Sequence, residues 1–314
     1  MKNRILKTIA YTGFYLFCFT IFFYYTFPFD HLKEKLINII VENQMFGIES
    51  LSIGTLKPYW VTGFEVTDLK VEKRIGVING HEFKFDNIRI RVTPTSLIKA
   101  LSNAEIFKLK LSGSAISKSI EENLEVKFDF QAYGGGGSGY VILSEPKQVM
   151  LQSGNMNLSK FGFLKTLVEG SDIKGEIKSM GVNLIAPQGK LEQISGNVLL
   201  NLQNASFENM KVSFFKLPHI KISALNINTK AKNGKLQINE FAISGDIEGK
   251  IKGSINLEPN IAYSKLNLSI NLKPSPAIIN DFKAILDAMM NADSNGYYNF
   301  KLTGSILSPE VKKL

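Results

Sequence analysis

The chain has three histidines, His31, His81 and His219, and no two of them are close in sequence. A zinc or hydrolytic centre asks for paired ligands such as H-E-x-x-H, and no such spacing occurs. Each imidazole is therefore read as structural or surface. The run Gly134-Gly135-Gly136-Gly137-Ser138-Gly139 invites comparison with a phosphate-binding loop. It lacks the Gly-Lys-Ser/Thr ending, and its flanks, Val126 to Phe130 and Tyr140 to Leu143, read as strands, so a flexible hairpin tip is expected. The acids Asp68, Glu72, Asp86, Glu121 and Glu122 fall beside strand edges or turns without the pairing that proton transfer needs. No G-x-S-x-G elbow is present. The expectation is a protein that is not an enzyme, with no catalytic, cofactor-binding or metal-binding residues and no cofactor.

What positions the chain is its opening segment. The 22 residues from Thr8 to Phe29 contain no acid or base and are mostly Phe, Tyr, Ile and Leu. As a helix they rise roughly 33 Å, enough for a hydrocarbon core of about 30 Å. Lys2, Arg4 and Lys7 precede them with no acid, which keeps residues 1–7 in the cytoplasm by the positive-inside bias. A cleaved signal peptide shares a basic start and an apolar stretch. Its small-residue cleavage site is missing here, and Tyr24, Tyr25, Phe27 and Phe29 resemble an interfacial aromatic belt. Residues 8–29 are thus expected to be an uncleaved transmembrane helix, with the chain beyond Asp30 across the membrane.

The chain has 314 residues, is 44% hydrophobic and carries a net charge of +9. Its single cysteine, Cys18, lies inside the apolar segment, so the exported part folds by burial without an intramolecular disulfide. Lys108, Lys110, Lys230, Lys232 and Lys235 are strewn among Ser and Asn and form no block, which argues against nucleic acid as a partner. The basic surface is read as solvated, with some attraction to anionic headgroups.

Residues 30–46 form the next unit. Asp30 is placed as the cap of an amphipathic helix with Leu32, Leu36, Ile39 and Ile40 on one face, covering one end of a sheet or lying on the membrane. From about Ile48 the period becomes two. Lys265 to Leu272 alternates strictly, and similar runs occur at Glu65–Val71, Phe83–Val92, Phe107–Leu111, Leu124–Phe130, Gly139–Leu143, Gly181–Ile185, Asn197–Leu202, Ile220–Asn228, Lys235–Ile243, Lys250–Leu257 and Tyr298–Ile306. Between Phe85 and Ile88 the alternation slips, as at a bulge. Turn signals such as Asn79-Gly80, Asn233-Gly234 and Gly245-Asp246 separate the runs. Residues 47–314 are therefore expected to be a β-rich domain, an elongated, curled antiparallel sheet forming a groove or a sandwich. Two short helices interrupt it, one over Leu158 to Val168 and one opened by Ser275-Pro276 and running to Met290.

Several stretches resemble a known family. Thr26 to Leu32, Gly47 to Pro58, Gly63 to Leu69, Val92 to Leu97, Gly170 to Asn201 and the closing Leu302-Thr303-Gly304-Ser305-Ile306-Leu307-Ser308-Pro309 are similar to type II secretion system protein N of the kind found in delta-proteobacteria and spirochaetes. The opening and closing motifs also resemble those of AsmA-like envelope proteins. The resemblance implies a single-pass bacterial inner-membrane protein whose bulk is periplasmic. It carries no catalytic residues over. Two non-enzymatic functions follow from it: a scaffold or assembly factor for a type II secretion system, with envelope or secretion proteins as partners, or an AsmA-like lipid-binding or lipid-transfer protein, with phospholipid acyl chains as ligands. Alternation by itself is the same whether Leu266, Leu268, Ile270 and Leu272 meet another sheet or an acyl tail.

Overall fold

The computed structural model describes residues 2–42, 48–60, 62–75, 78–96, 124–162, 164, 172–209, 211–212, 215–216, 219–279 and 292–313. Two helices open it, α1 (Lys2–Thr26) and α2 (Phe29–Glu42). The strands follow as β1 (Ile48–Ser52), β2 (Thr55–Tyr59), β3 (Gly63–Ile75), β4 (Ile78–Val92), β5 (Glu125–Ala132), β6 (Gly135–Ile142), β7 (Lys147–Asn157), β8 (Asp172–Ala186) and β9 (Ser195–Glu208). After them come β10 (Lys211–Val212), β11 (Phe215–Lys216), β12 (Ile220–Lys232), β13 (Lys235–Gly245), β14 (Ile247–Asn256), β15 (Lys265–Pro274), β16 (Tyr298–Gly304) and β17 (Pro309–Lys313).

Fifteen strands make one antiparallel sheet, in which strands pair in chain order except that β1 pairs with β3 and β9 with β12. The order is β1-β3-β4-β5-β6-β7-β8-β9-β12-β13-β14-β15-β16-β17, with β2 on β3 in line with β1, and β10 and β11 form a separate hairpin. The two ends, β1/β2 and β17, do not pair with each other among the described residues, so the sheet is open. Extended contacts run between adjacent strands, with additions from α2 on β1 and β2 and from short turns. Of the expected architecture, the described strands form a single large antiparallel sheet. The exposed surface agrees. At 20074 Å² it is about one and a half times the roughly 13,000 Å² expected for a compact monomer of 35.0 kDa.

The helices differ from their expected bounds. Pro28 has no amide hydrogen and disfavours helix at Phe27, so α1 stops at Thr26 and Phe29 begins α2 instead of ending the apolar span. The uncharged part of α1, Thr8 to Thr26, rises about 28 Å. Among the described residues no single helix is both long and apolar enough to cross a membrane by length and composition; Ala10–Thr26 and Phe29–Glu42 pass as a pair bent by 66°. Asp30 is not a cap. It lies in the first turn of α2, where a negative charge suits the helix dipole, and the Leu32 amide donates to the Pro28 carbonyl. The helix packs on β1 and β2, and Lys33 Nζ donates to the Gly54 carbonyl at 3.3 Å.

Two local expectations fail in the sheet. The glycine run is not a hairpin tip: the turn is Tyr133-Gly134, and Gly135 to Gly139 form most of β6, paired on both sides. A Cβ at Gly137 or Gly139 would stand 2.7 Å from the rings of Phe130 and Phe128, so the glycines make room for aromatics lying across the strand. The slip at Phe85 to Ile88 is not an inserted residue, because the β3–β4 register holds from Gly63↔Arg91 to Lys73↔His81. It is met from the partner strand by Asp68, whose φ is 50°. Alternation does not predict β7, because Gln152-Ser153-Gly154-Asn155 masks it. The expected helix after Leu158 begins with a 3-10 turn, Leu158–Lys160, and the one after Ser275 begins at Pro276. Phe107–Leu111, Glu121, Glu122 and the part of the second helical stripe from Phe282 to Met290 lie outside the described residues.

Candidate functional site

Across an antiparallel sheet, registered partners point to the same face, so one row can be followed from edge to edge. Starting at Pro58, it runs Phe64, Ile90, Phe128, Gly139, Leu151, Val182 and Val198. It continues through Thr229, Ile238, Gly253, Leu268 and Leu302 to Val311 on the last strand. No charged side chain interrupts it. The neighbouring row Leu56, Val66, Ile88, Phe130, Gly137 repeats the pattern on the same face. One residue along each strand the character inverts: Arg91, Lys127, Tyr140, Met150, Asn183, Asn197, Lys230 and Gln237 are successive partners on the opposite face.

The apolar face is unequally covered. Near β14 to β16 it packs on itself, with Ile238, Leu268 and Ile270 buried among Phe241, Ile251, Phe300 and Leu302. Around β7 to β12 the turn after β7 folds over part of it: Leu158 is buried, and Phe161 stacks on Tyr133 with ring centroids 3.9 Å apart. Toward the α2 end Phe64 and Ile90 remain 39% and 40% exposed. At about 4.8 Å per strand the fourteen positions of the row extend roughly 60 Å. Bulges between Lys174 and Glu176, Ile177 and Ser179, and Ile238 and Ala242 bend the strands beneath it.

The residues singled out for chemistry are not brought together. His31 lies 3.9 Å from Glu34 on exposed α2, and His81 is on β4 opposite Lys73. His219 Nε2 is 3.7 Å from Glu208 Oε1, which Lys174 Nζ also approaches at 3.4 Å, beside a depression of about 450 Å³. The carboxylate stands between an ammonium and an imidazole; Ser206 and Ser223 line the same depression, but no hydrogen bond from either hydroxyl to His219 is found among the described residues. Asp68, Glu72 and Asp86 are exposed, and among the described residues no three of His, Cys, Asp and Glu could hold a metal. Glu65 is held below the usual carboxylate range by the Asn87 amide and the Arg89 guanidinium, which donate to Oε1 at 2.7 and 2.9 Å. That cluster ties β3 to β4. Burial, opposed by the Lys84 amide that donates to its hydroxyl, pushes Tyr133 up.

The motifs behind the family resemblance have local structural roles. Thr93 and Ser96 are buried and hydrogen-bonded to each other at 2.8 Å, and the Glu125 amide donates to Ser96 Oγ. Gly304 has φ 84° and opens the turn between β16 and β17, which Ser305 and Ser308 close by reciprocal backbone bonds. Sequence reasoning missed the continuity of the row, because alternation within a strand carries no register between strands. Compared with protein-family models, with curated proteins and with solved structures, the chain matches none.

Proposed function

We propose that this protein is a non-enzymatic, membrane-tethered lipid-binding protein of the bacterial envelope. Its apolar sheet face holds phospholipid acyl chains on the periplasmic side of the inner membrane. The observation carrying this reading is the uncharged row from Pro58 to Val311 on one open sheet, along which Phe64 and Ile90 remain exposed. A large apolar strip rarely stays uncovered on a protein that works alone in water. An acyl chain matches it: each buried CH₂ gains about 0.8 kcal/mol, so ten of them supply about 8 kcal/mol before the cost of ordering the chain. The tether is α1, whose Tyr11, Phe14, Tyr15, Phe17 and Phe22 are exposed and which makes no extended contact with a strand among the described residues. A helix apolar on all sides needs protein or lipid around it.

The test is photo-crosslinking in cells labelled with radioactive phosphate, using a benzophenone side chain at one position at a time. Leu151, Val182 and Val198 should yield labelled lipid adducts, and Gln152, Asn183 and Asn197 on the other face should not. Equal labelling of both faces, or none, would sink the proposal. The type II secretion scaffold is the second reading and rests on the sequence motifs of the closing turn and the Val92–Leu97 step. It predicts that affinity purification from detergent extract recovers secretion components, with no lipid adduct at Val182.

A further inference from the structure

Trp60 is the only tryptophan in the chain and is 70% exposed, more than any other large apolar side chain described outside α1. It stands where β2 turns into β3, with φ 54°, a backbone conformation that a bulky residue rarely adopts. The turn is held firmly. Thr62 Oγ1 donates to the Val92 carbonyl at 2.7 Å, and the Val92 amide donates to the Thr62 carbonyl at 3.1 Å. At Gly63 a Cβ would lie 2.3 Å from the Ile90 carbonyl oxygen, so the strand reverses hard against β4. An indole presented this way is fixed in solvent by its scaffold.

Cations surround it. The Arg91 guanidinium lies over the Trp60 ring at 5.9 Å, and that of Arg89 lies over Tyr59 at 5.2 Å. Arg89 is paired with Glu65 at 2.9 Å, and Lys127 is 3.5 Å from Glu125. Asp129 lines a shallow depression with Arg91 and Lys127. No ion pair to Arg91 or Lys57 is found among the described residues. The same corner holds the exit of α1: Phe29, three residues beyond the end of α1, meets Phe64 edge-on at 6.5 Å, and Phe64 is the registered partner of Pro58, two residues before Trp60.

We propose that the β2–β3 turn is a second membrane contact. Trp60 seats in the headgroup layer of the bilayer that α1 enters, and Arg91 pairs with the phosphate of an anionic phospholipid. The inference rests on the reading of α1 as a membrane tether. Tryptophan suits this layer because its ring is apolar with one polar N–H. Arginine can stack on the ring and still offer a planar fork to phosphate.

Because Trp60 is the sole tryptophan, its fluorescence reports this site without any variant. The full chain is reconstituted into phosphatidylcholine vesicles with and without phosphatidylglycerol. Expected are a blue-shifted emission, loss of most of it with lipids brominated near the headgroup, and protection from aqueous iodide. Arg91→Gln should weaken the shift in phosphatidylglycerol vesicles, and Arg91→Lys should weaken it less. Water-like emission open to iodide and indifferent to brominated lipid, from protein that still floats with the vesicles after alkaline extraction, would overturn the second contact alone. Protein that no longer floats would overturn the tether and the contact together.

Discussion

Ile90 and Leu268 occupy the same row of the apolar face, so truncating each to alanine separates an uncovered position from a covered one. Leu268 is 7% exposed and packed among Ile238, Ile270 and Leu302, so Leu268→Ala loses transfer energy and leaves a cavity, about 2–5 kcal/mol. Ile90 is 40% exposed. Its burial is roughly three-fifths complete, which scales the 1.5–3 kcal/mol of full burial to about 1–2 kcal/mol, and space open to solvent adds no cavity cost. The gap of about 1–3 kcal/mol corresponds to roughly 5- to 150-fold in local opening. A sheet whose extended contacts run between adjacent strands opens in segments, so hydrogen–deuterium exchange resolved to β4–β5 and to β14–β16 is the suitable assay. Equal loss of protection at the two sites would refute the reasoning, because it would mean that Ile90 is as enclosed as Leu268 and no part of the row is free for lipid.

Gly139→Val would place a Cβ 2.1 Å from the Met150 carbonyl oxygen and against the Phe128 ring, and should lower stability by about 1–3 kcal/mol or more, read as a fall in thermal midpoint. The lowered pKa of Glu65 means that its bonds to Asn87 and Arg89 stabilise the fold above the ordinary carboxylate value of 4.5 and are lost as pH falls through the lower folded value. Melting measured through that acid window should therefore be steeper in pH for the wild type than for Glu65→Gln. Tyr133→Phe removes the acceptor of the Lys84 amide and should cost about 0.5–1.5 kcal/mol in unfolding experiments. If Thr8 to Phe29 is exchanged for a cleavable signal peptide, lipid adducts at Val182 should fall sharply; unchanged labelling would reduce the segment to an export signal.

The sheet is largely legible because period-two alternation is a local property: it predicts a strand over Lys265–Leu272, and β15 forms as Lys265–Pro274. Where alternation is masked by glycine and small polar residues, as in β6 and β7, the strand forms because neighbours on both sides supply the hydrogen bonds. Pro28 is visible in the sequence, yet its effect depends on whether the chain continues as one helix or re-enters as α2. The Phe29–Phe64 contact and the seat of α2 on β1 and β2 show that re-entry is favoured by a nearby surface. For the candidate site the legible part was the apolar character of single strands, and the illegible part was which residues stand beside one another.

The sequence alone determined that the chain opens with an uncharged aromatic-rich segment, continues as a succession of two-faced strands, and has no recognisable catalytic or metal-ligand spacing. Those properties reside in residue types and short-range periods. Tertiary structure decided that the strands join into one open antiparallel sheet, that their dry faces align into a row from Pro58 to Val311, that Arg91 lies over Trp60, and that Phe29, just past α1, meets Phe64. The physical reason is register. Sliding a strand by one residue exchanges its two faces, and that choice is settled by hydrogen bonding and packing between strands, which no single strand contains.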